Sequence, residues 1–213
     1  MTSKKIAASA LLALAGIACV AGACWIHIKA MAAQVLINSA WDRARSDGQP
    51  AKPWPWADTT PVARITFHDR RTLVVLEGSS GRNLAFAPSH DPASVLPGES
   101  GNSVISAHRD THFRELEHAR VGDRIRVERA DGSTLLFKVS SVTIVDSRKT
   151  RVALESDTPR LTLVTCYPFD AIQPGGPLRF VVTADLEAGA GYTPPRRVAR
   201  AAALPRPVPV MGF

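Results

Sequence analysis

Cysteine is scarce: three residues in a chain of 213. Two of them, Cys19 and Cys24, lie inside the first apolar segment. Cys166 is therefore left without a partner in the rest of the chain, which excludes a disulfide framework. Also missing are an internal repeat and a glycine-rich loop of the kind that cradles phosphate. The carboxylates Asp69, Glu77, Asp91 and Glu99 are scattered, with no oxygen-ligand spacing, so no metal site is expected. A basic face is missing as well. Of the formal net charge of +7, Lys4, Lys5 and Lys29 supply +3, and the tail from Glu187 onward supplies another +3. Residues 30–186 are near neutral, and a nucleic-acid partner is not supported.

What the chain does have begins with Ile6–Ile28, an uncharged run of 23 residues. That length spans a bilayer as a helix and exceeds the apolar core of a signal peptide, about 7–15 residues. An uncleaved anchor is expected, although Val20-Ala21-Gly22-Ala23 also offers small residues of the kind found at cleavage sites. Lys4 and Lys5 precede the run and favour a cytoplasmic N-terminus with the remainder exported. Ala30–Ser46 reads as a short amphipathic helix stopped by Asp47-Gly48-Gln49-Pro50. Lys52-Pro53-Trp54-Pro55-Trp56 follows as a stiff spacer whose tryptophans suit either a membrane interface or the outer surface of a domain.

From Pro61 the pattern changes to short apolar runs with turn residues between them. Strands are expected at Ala63–Phe67, Leu73–Glu77, Ser103–Ala107, Arg124–Arg129, Thr134–Val139, Leu161–Thr165 and Leu178–Val182, with Val142–Val145 continuing or following the strand that ends at Val139. His68-Asp69-Arg70-Arg71 forms a charged turn, Asp131-Gly132 a hairpin turn, and Gly78–Glu99 a long loop. Helix is confined to a turn or two near Phe113–His118. So many short strands at this spacing predict a mainly β fold, a closed or nearly closed barrel. The segments are thus residues 1–29 (anchor), 30–60 (helix and Pro/Trp linker), 61–186 (β domain) and 187–213, an Ala/Pro/Arg-rich tail expected to be disordered.

Three residues stand out chemically. Cys166 ends an apolar strand, His108 closes the buried run in GNSVISAHRDTHF, and Arg179 opens another strand amid apolar neighbours. A thiol becomes nucleophilic when an imidazole or guanidinium favours its thiolate. Singly, each admits a plainer reading: a small buried hydrophobe, a structural or surface histidine, and an outward arginine on an edge strand. Together, in an exported chain where an unpaired thiol is a liability, they point to catalysis. His112 and His90 are rival imidazoles expected to line the groove or face solvent, and Asp110 is a candidate to orient an imidazole.

Thr162-Leu163-Val164-Thr165-Cys166 matches the TLxTC motif of sortases, the membrane-anchored cysteine transpeptidases. The runs LPGESGNSVISAHRDTHF and TCYPFDAIQPGGPLRF most resemble the sortases of Gram-negative proteobacteria. The resemblance covers roughly residues 60–186 plus the anchor. One departure is Ala107 before the histidine, where many relatives have glycine. The resemblance implies a closed barrel of about eight strands with short helices, working without a cofactor. It implies Cys166, His108 and Arg179 as catalytic residues, with Thr165, Pro168 and His112 against the substrate. That substrate would be a protein with an LPxTG-like C-terminal sorting signal, its acyl group passing to an amine. The catalytic domain would stand in the periplasm, tethered to the inner membrane by one span. A tethered cysteine protease and a non-catalytic peptide-binding barrel are the rival readings.

Overall fold

The computed structural model describes residues 3–67, 71–173, 175–187 and 210–211. By its own contacts the chain divides into residues 1–36 and Ile37–Phe213. Helix α1 (Ser3–Asp47) runs through the boundary without a break, so the expected amphipathic helix is a continuation of the apolar one. It stops at Gly48, whose φ of 65° is the left-handed conformation that lets a chain leave a helix. In the first unit Leu11, Leu12, Leu14, Ile17 and Val20 are all exposed. Among the described residues, this is the one helix long and apolar enough to cross a membrane.

Among its described residues the second unit has ten strands: β1 (Pro61–Phe67), β2 (Arg71–Glu77), β3 (Ser89–His90), β4 (Asn102–Ser106), β5 (Arg124–Arg129), β6 (Thr134–Asp146), β7 (Val152–Ala153), β8 (Arg160–Cys166), β9 (Leu178–Leu186) and β10 (Val210–Met211). Eight close into a barrel in the order β1-β2-β3-β4-β8-β9-β6-β5, as the strand count implied. Closure leaves no free edge among them. The pairs β2–β3 and β4–β8 are parallel and the others antiparallel. The short β7 pairs outside the barrel with β10.

Strand alternation sorts the side chains into an inside and an outside. Inside lie Ile65, Val75, Ile105, Val127, Phe137, Leu161, Leu163 and Val182, all buried in one core. Outside, Val104 of β4, Val164 of β8 and Val181 of β9 form a second apolar surface, covered by Val152 and Leu154. Asn102 fixes this cover: its Nδ2 donates to the Ala153 carbonyl at 2.7 Å, and its Oδ1 accepts from Thr162 Oγ1 at 2.9 Å. On another face, Ile37 and Trp41 of α1 bury against Val74, Leu76 and Ala87. The Arg64 guanidinium stacks 5.5 Å from the Trp41 ring.

The two linker tryptophans separate here. Trp54 packs edge-on against Phe86 at 5.6 Å, on the domain's surface, whereas Trp56 is 81% exposed. Val142–Val145, expected to continue or follow Thr134–Val139, continues it as one strand, β6, bulged between Val139 and Ser141 where the register shifts. The long loop from Gly78 contains a short helix, α2 (Gly81–Leu84), as well as β3. Residues 68–70 of the expected charged turn and most of the tail lie outside the described residues.

Candidate active site

The site is assembled by register. β8 and β9 pair so that Cys166 and Arg179 are direct partners. β4 and β8 run parallel with Ser106 beside Val164. The ladder continues as Ala107 N–H donates to the Val164 carbonyl at 3.2 Å. His108 follows Ala107 just past this ladder, and Cys166 is the last residue of β8. His108 therefore sits two residues beyond the last residue of β4, not within the strand. Cys166 shares the outward parity of Val164, and Arg179 that of Val181, so both belong to the barrel's outer surface.

Cys166 is half-buried and His108 is exposed, which leaves both within reach of solvent. Arg179 is half-buried on a strand flanked on both sides, by β8 and β6, so the edge-strand reading does not hold. Its Nη1 donates to the carbonyls of Gly176 at 2.6 Å and Leu178 at 2.9 Å. Guanidinium carries five N–H donors. The remaining three, on Nε and Nη2, have no partner among the described residues.

The segment around His108 is fastened at several points. Thr165 lies on the inner side of β8, 2% exposed, and its hydroxyl donates to the Ala107 carbonyl at 2.8 Å. That is a different use from the substrate contact expected of Thr165. Phe113 N–H donates to the His108 carbonyl at 3.1 Å, and Arg71 Nη1 donates to the Thr111 carbonyl at 3.1 Å. On the β8–β9 connection, Tyr167 and Phe169 pack their rings against Phe180, at 6.3 and 5.1 Å. Pro168 lies between them, half-buried.

Two expectations near the site change. His90 neither lines the groove nor faces solvent: it is 3% exposed, with Nε2 hydrogen-bonded to the Val95 carbonyl and to Ser94 Oγ. Asp110 is engaged by Arg109 through both carboxylate oxygens, at 2.8 and 3.2 Å, rather than by an imidazole. Those bonds hold its carboxyl below the ordinary range, burial opposing and the charges of Arg109, His108 and Arg114 assisting. His112 is half-buried, and burial, then the Arg71 cation, pushes its imidazole below the ordinary histidine value, while a hydrogen bond to the Phe86 backbone resists.

Arg109 was not singled out in the sequence. It is 6% exposed, and besides Asp110 it reaches the carbonyls of Pro168 at 2.5 Å and Ala171 at 3.0 Å. An arginine beside a histidine and an aspartate in a polar stretch reads as solvated. The local sequence holds no sign of its burial, because the groups that bury it lie some 60 residues away.

A family model described as the Sortase domain matches residues 65–187, more than half of the chain. Sortase D of Bacillus subtilis (strain 168) is 32% identical over 111 residues, covering 52% of this chain and 55% of the relative. The chain thus spans little more than half the length of that curated relative. Among solved structures, a Clostridium perfringens Sortase D5 transpeptidase aligns with a TM-score of 0.58 at 20% identity, over 74% of this chain and 99% of its own. Sortase C-1 from Actinomyces oris gives 0.52 at 28% identity, over 60% and 72%. Sortase A from Corynebacterium diphtheriae gives 0.55 at 24%, over 62% and 63%. A closed eight-stranded barrel and a family match over most of that barrel lead to one assignment: this chain belongs to the sortase family, whose members are cysteine transpeptidases.

Proposed function

We propose that the chain is a membrane-anchored sortase in which Cys166 is the nucleophile, His108 the acid–base group and Arg179 the electrostatic donor. The observation that supports this reading is the pairing of Cys166 with Arg179 across β8 and β9, with His108 two residues past the end of β4, the parallel partner of β8. Cys166 Sγ attacks the carbonyl carbon of a Thr–Gly-type bond in an LPxTG-like sorting signal. The C–N bond breaks, His108 protonates the departing amine, and a thioester remains. An incoming amine, deprotonated by His108, attacks that thioester and restores the thiol. The N–H groups of Arg179 that have no described partner are suited to hold the substrate or the oxyanion, an interaction worth about 2.7–4 kcal/mol per donor in comparable sites. Pro168 and His112 flank the same rim and are assigned to the substrate groove.

The apolar part of α1 serves as a single inner-membrane span, with Lys4 and Lys5 on the cytoplasmic side and the barrel in the periplasm. The proteobacterial subtype rests on the runs LPGESGNSVISAHRDTHF and TCYPFDAIQPGGPLRF.

The test is to offer the full-length protein a library of LPxTG-like peptides and trap the acyl-enzyme for mass spectrometry, with and without hydroxylamine. Sortase chemistry gives a thioester on Cys166 and an amide-type product with the amine. Acid product alone, at every amine concentration, would instead identify a protease. A Cys166→Ala variant that still cleaved peptide would remove the nucleophile assignment.

A further inference from the structure

We propose that Arg109 is a positioning residue for the reaction, clamping the connection that follows Cys166 to the segment that carries His108. The assignment of those two as reacting groups rests on the sortase reading; the clamp itself rests on geometry. Arg109 adjoins His108 in sequence, and its side chain crosses to the other loop. Nη1 donates to the Pro168 carbonyl and Nη2 to the Ala171 carbonyl, two and five residues beyond Cys166. On the opposite side of the same guanidinium, Nε and Nη2 grip both oxygens of Asp110, two residues beyond His108. One planar group therefore faces both loops at once.

A cation that is 6% exposed is costly to bury, and neutral hydrogen bonds could fasten two loops at lower cost. Its charge also interacts with that of Cys166, which gives the cation a use. The Asp110 hydrogen bonds favour the protonated guanidinium most, burial opposes them, and the negative charges of Asp110, an ionised Cys166 and Asp170 add to the first effect. The other fastenings of the His108 segment, from Thr165, Arg71 and Phe113, come from β8, β2 and the segment itself. Among the described residues, Arg109 alone joins that segment to the β8–β9 connection by a side-chain hydrogen bond. A misplacement of about 1 Å between reacting groups can cost about a hundredfold in rate, so a clamp at this point sets turnover rather than affinity.

Arg109→Gln and Arg109→Lys in the full chain, held in detergent, test the proposal. Lys keeps the charge but lacks a fork that reaches both loops, so it does not rescue. Four quantities are read: melting temperature, backbone hydrogen exchange in residues 108–113 and 167–173, and kcat and KM for an LPxTG-type peptide with hydroxylamine. Exchange is expected to rise in both segments together. The kcat falls about tenfold or more while KM stays within about twofold. If Gln prevents folding, the Lys variant is read alone. A folded variant whose exchange and kcat match the wild type overturns the proposal. So does a loss of activity that merely follows the folded fraction, with exchange in the two segments unchanged. If the wild-type protein turns over no sorting peptide, the sortase reading fails, while hydrogen exchange still decides whether Arg109 clamps the loops.

Discussion

Cys166 and Arg179 face each other across β8 and β9 as a non-hydrogen-bonded pair. The next pair along the ladder is Tyr167 with Leu178, and there Tyr167 N–H donates to the Leu178 carbonyl at 3.1 Å. Antiparallel ladders alternate, so Cys166 and Arg179 fall in the wider hydrogen-bond gap, where Cα atoms approach to about 4.5 Å and side chains are closest. The two residues are thereby paired by backbone geometry, with no loop needed to bring them together.

Arg179→Lys follows directly from this pairing. Lysine keeps the charge but loses the planar fork, so kcat for amide-product formation should drop by roughly a hundredfold or more. The melting temperature should move by only a few degrees, since the variant removes just the bonds to Gly176 and Leu178. Wild-type initial rates with a sorting peptide would take Arg179 out of the mechanism.

Thr165→Val keeps the shape and strand preference of the side chain and removes one hydroxyl. The Ala107 carbonyl then loses its buried partner, for a stability cost of about 1–3 kcal/mol read from the denaturant midpoint. Because Ala107 precedes His108, turnover should fall as well. An unchanged midpoint would mean that another donor satisfies the carbonyl.

His112 gives a pH prediction. Its folded value lies below the ordinary 6.5 because of burial and Arg71, so the unfolded chain takes up the proton first as pH falls. Its contribution is fully present above pH 6.5 and is lost as pH falls from 6.5 through the lower folded value. Wild-type stability should therefore decline across that window more steeply than that of His112→Gln. Parallel curves for the two proteins would show that His112 titrates alike folded and unfolded.

Gly98 has a φ of 92°, and a Cβ there would run into Leu135 Cδ1. Leu135 is 1% exposed and has no room to turn aside. Gly98→Ala should cost about 2 kcal/mol or more, combining backbone strain with overpacking, and calorimetry would register it as a lower melting temperature.

Local pattern carried the sequence reading a long way. β5 could be read to the residue from its alternation, and TLVTC announced the end of β8. Beyond that, the fold is set by long-range pairing. β3 is only two residues, Ser89 and His90, inside a Ser/Pro/Gly-rich stretch, and it becomes a strand because β2 and β4 offer it partners. The bulge in β6 breaks the period of two near Ser140, which is why the sequence leaves open whether Val142–Val145 continues the strand or follows it. Of the candidate site, His108, Cys166 and Arg179 stood out because each punctuates an apolar run. Arg109 was not, since its four hydrogen bonds include two to carbonyls about 60 residues away.

The packing of Ile37 and Trp41 on Val74, Leu76 and Ala87 carries a lesson for anyone who would cut this molecule free of its tether. A protein trimmed at Pro61, where the β pattern starts, would bare an oily strip on β2 and invite self-association. The last turns of α1 act as the barrel's outer plank, so a soluble version should retain everything from Ile37 onward.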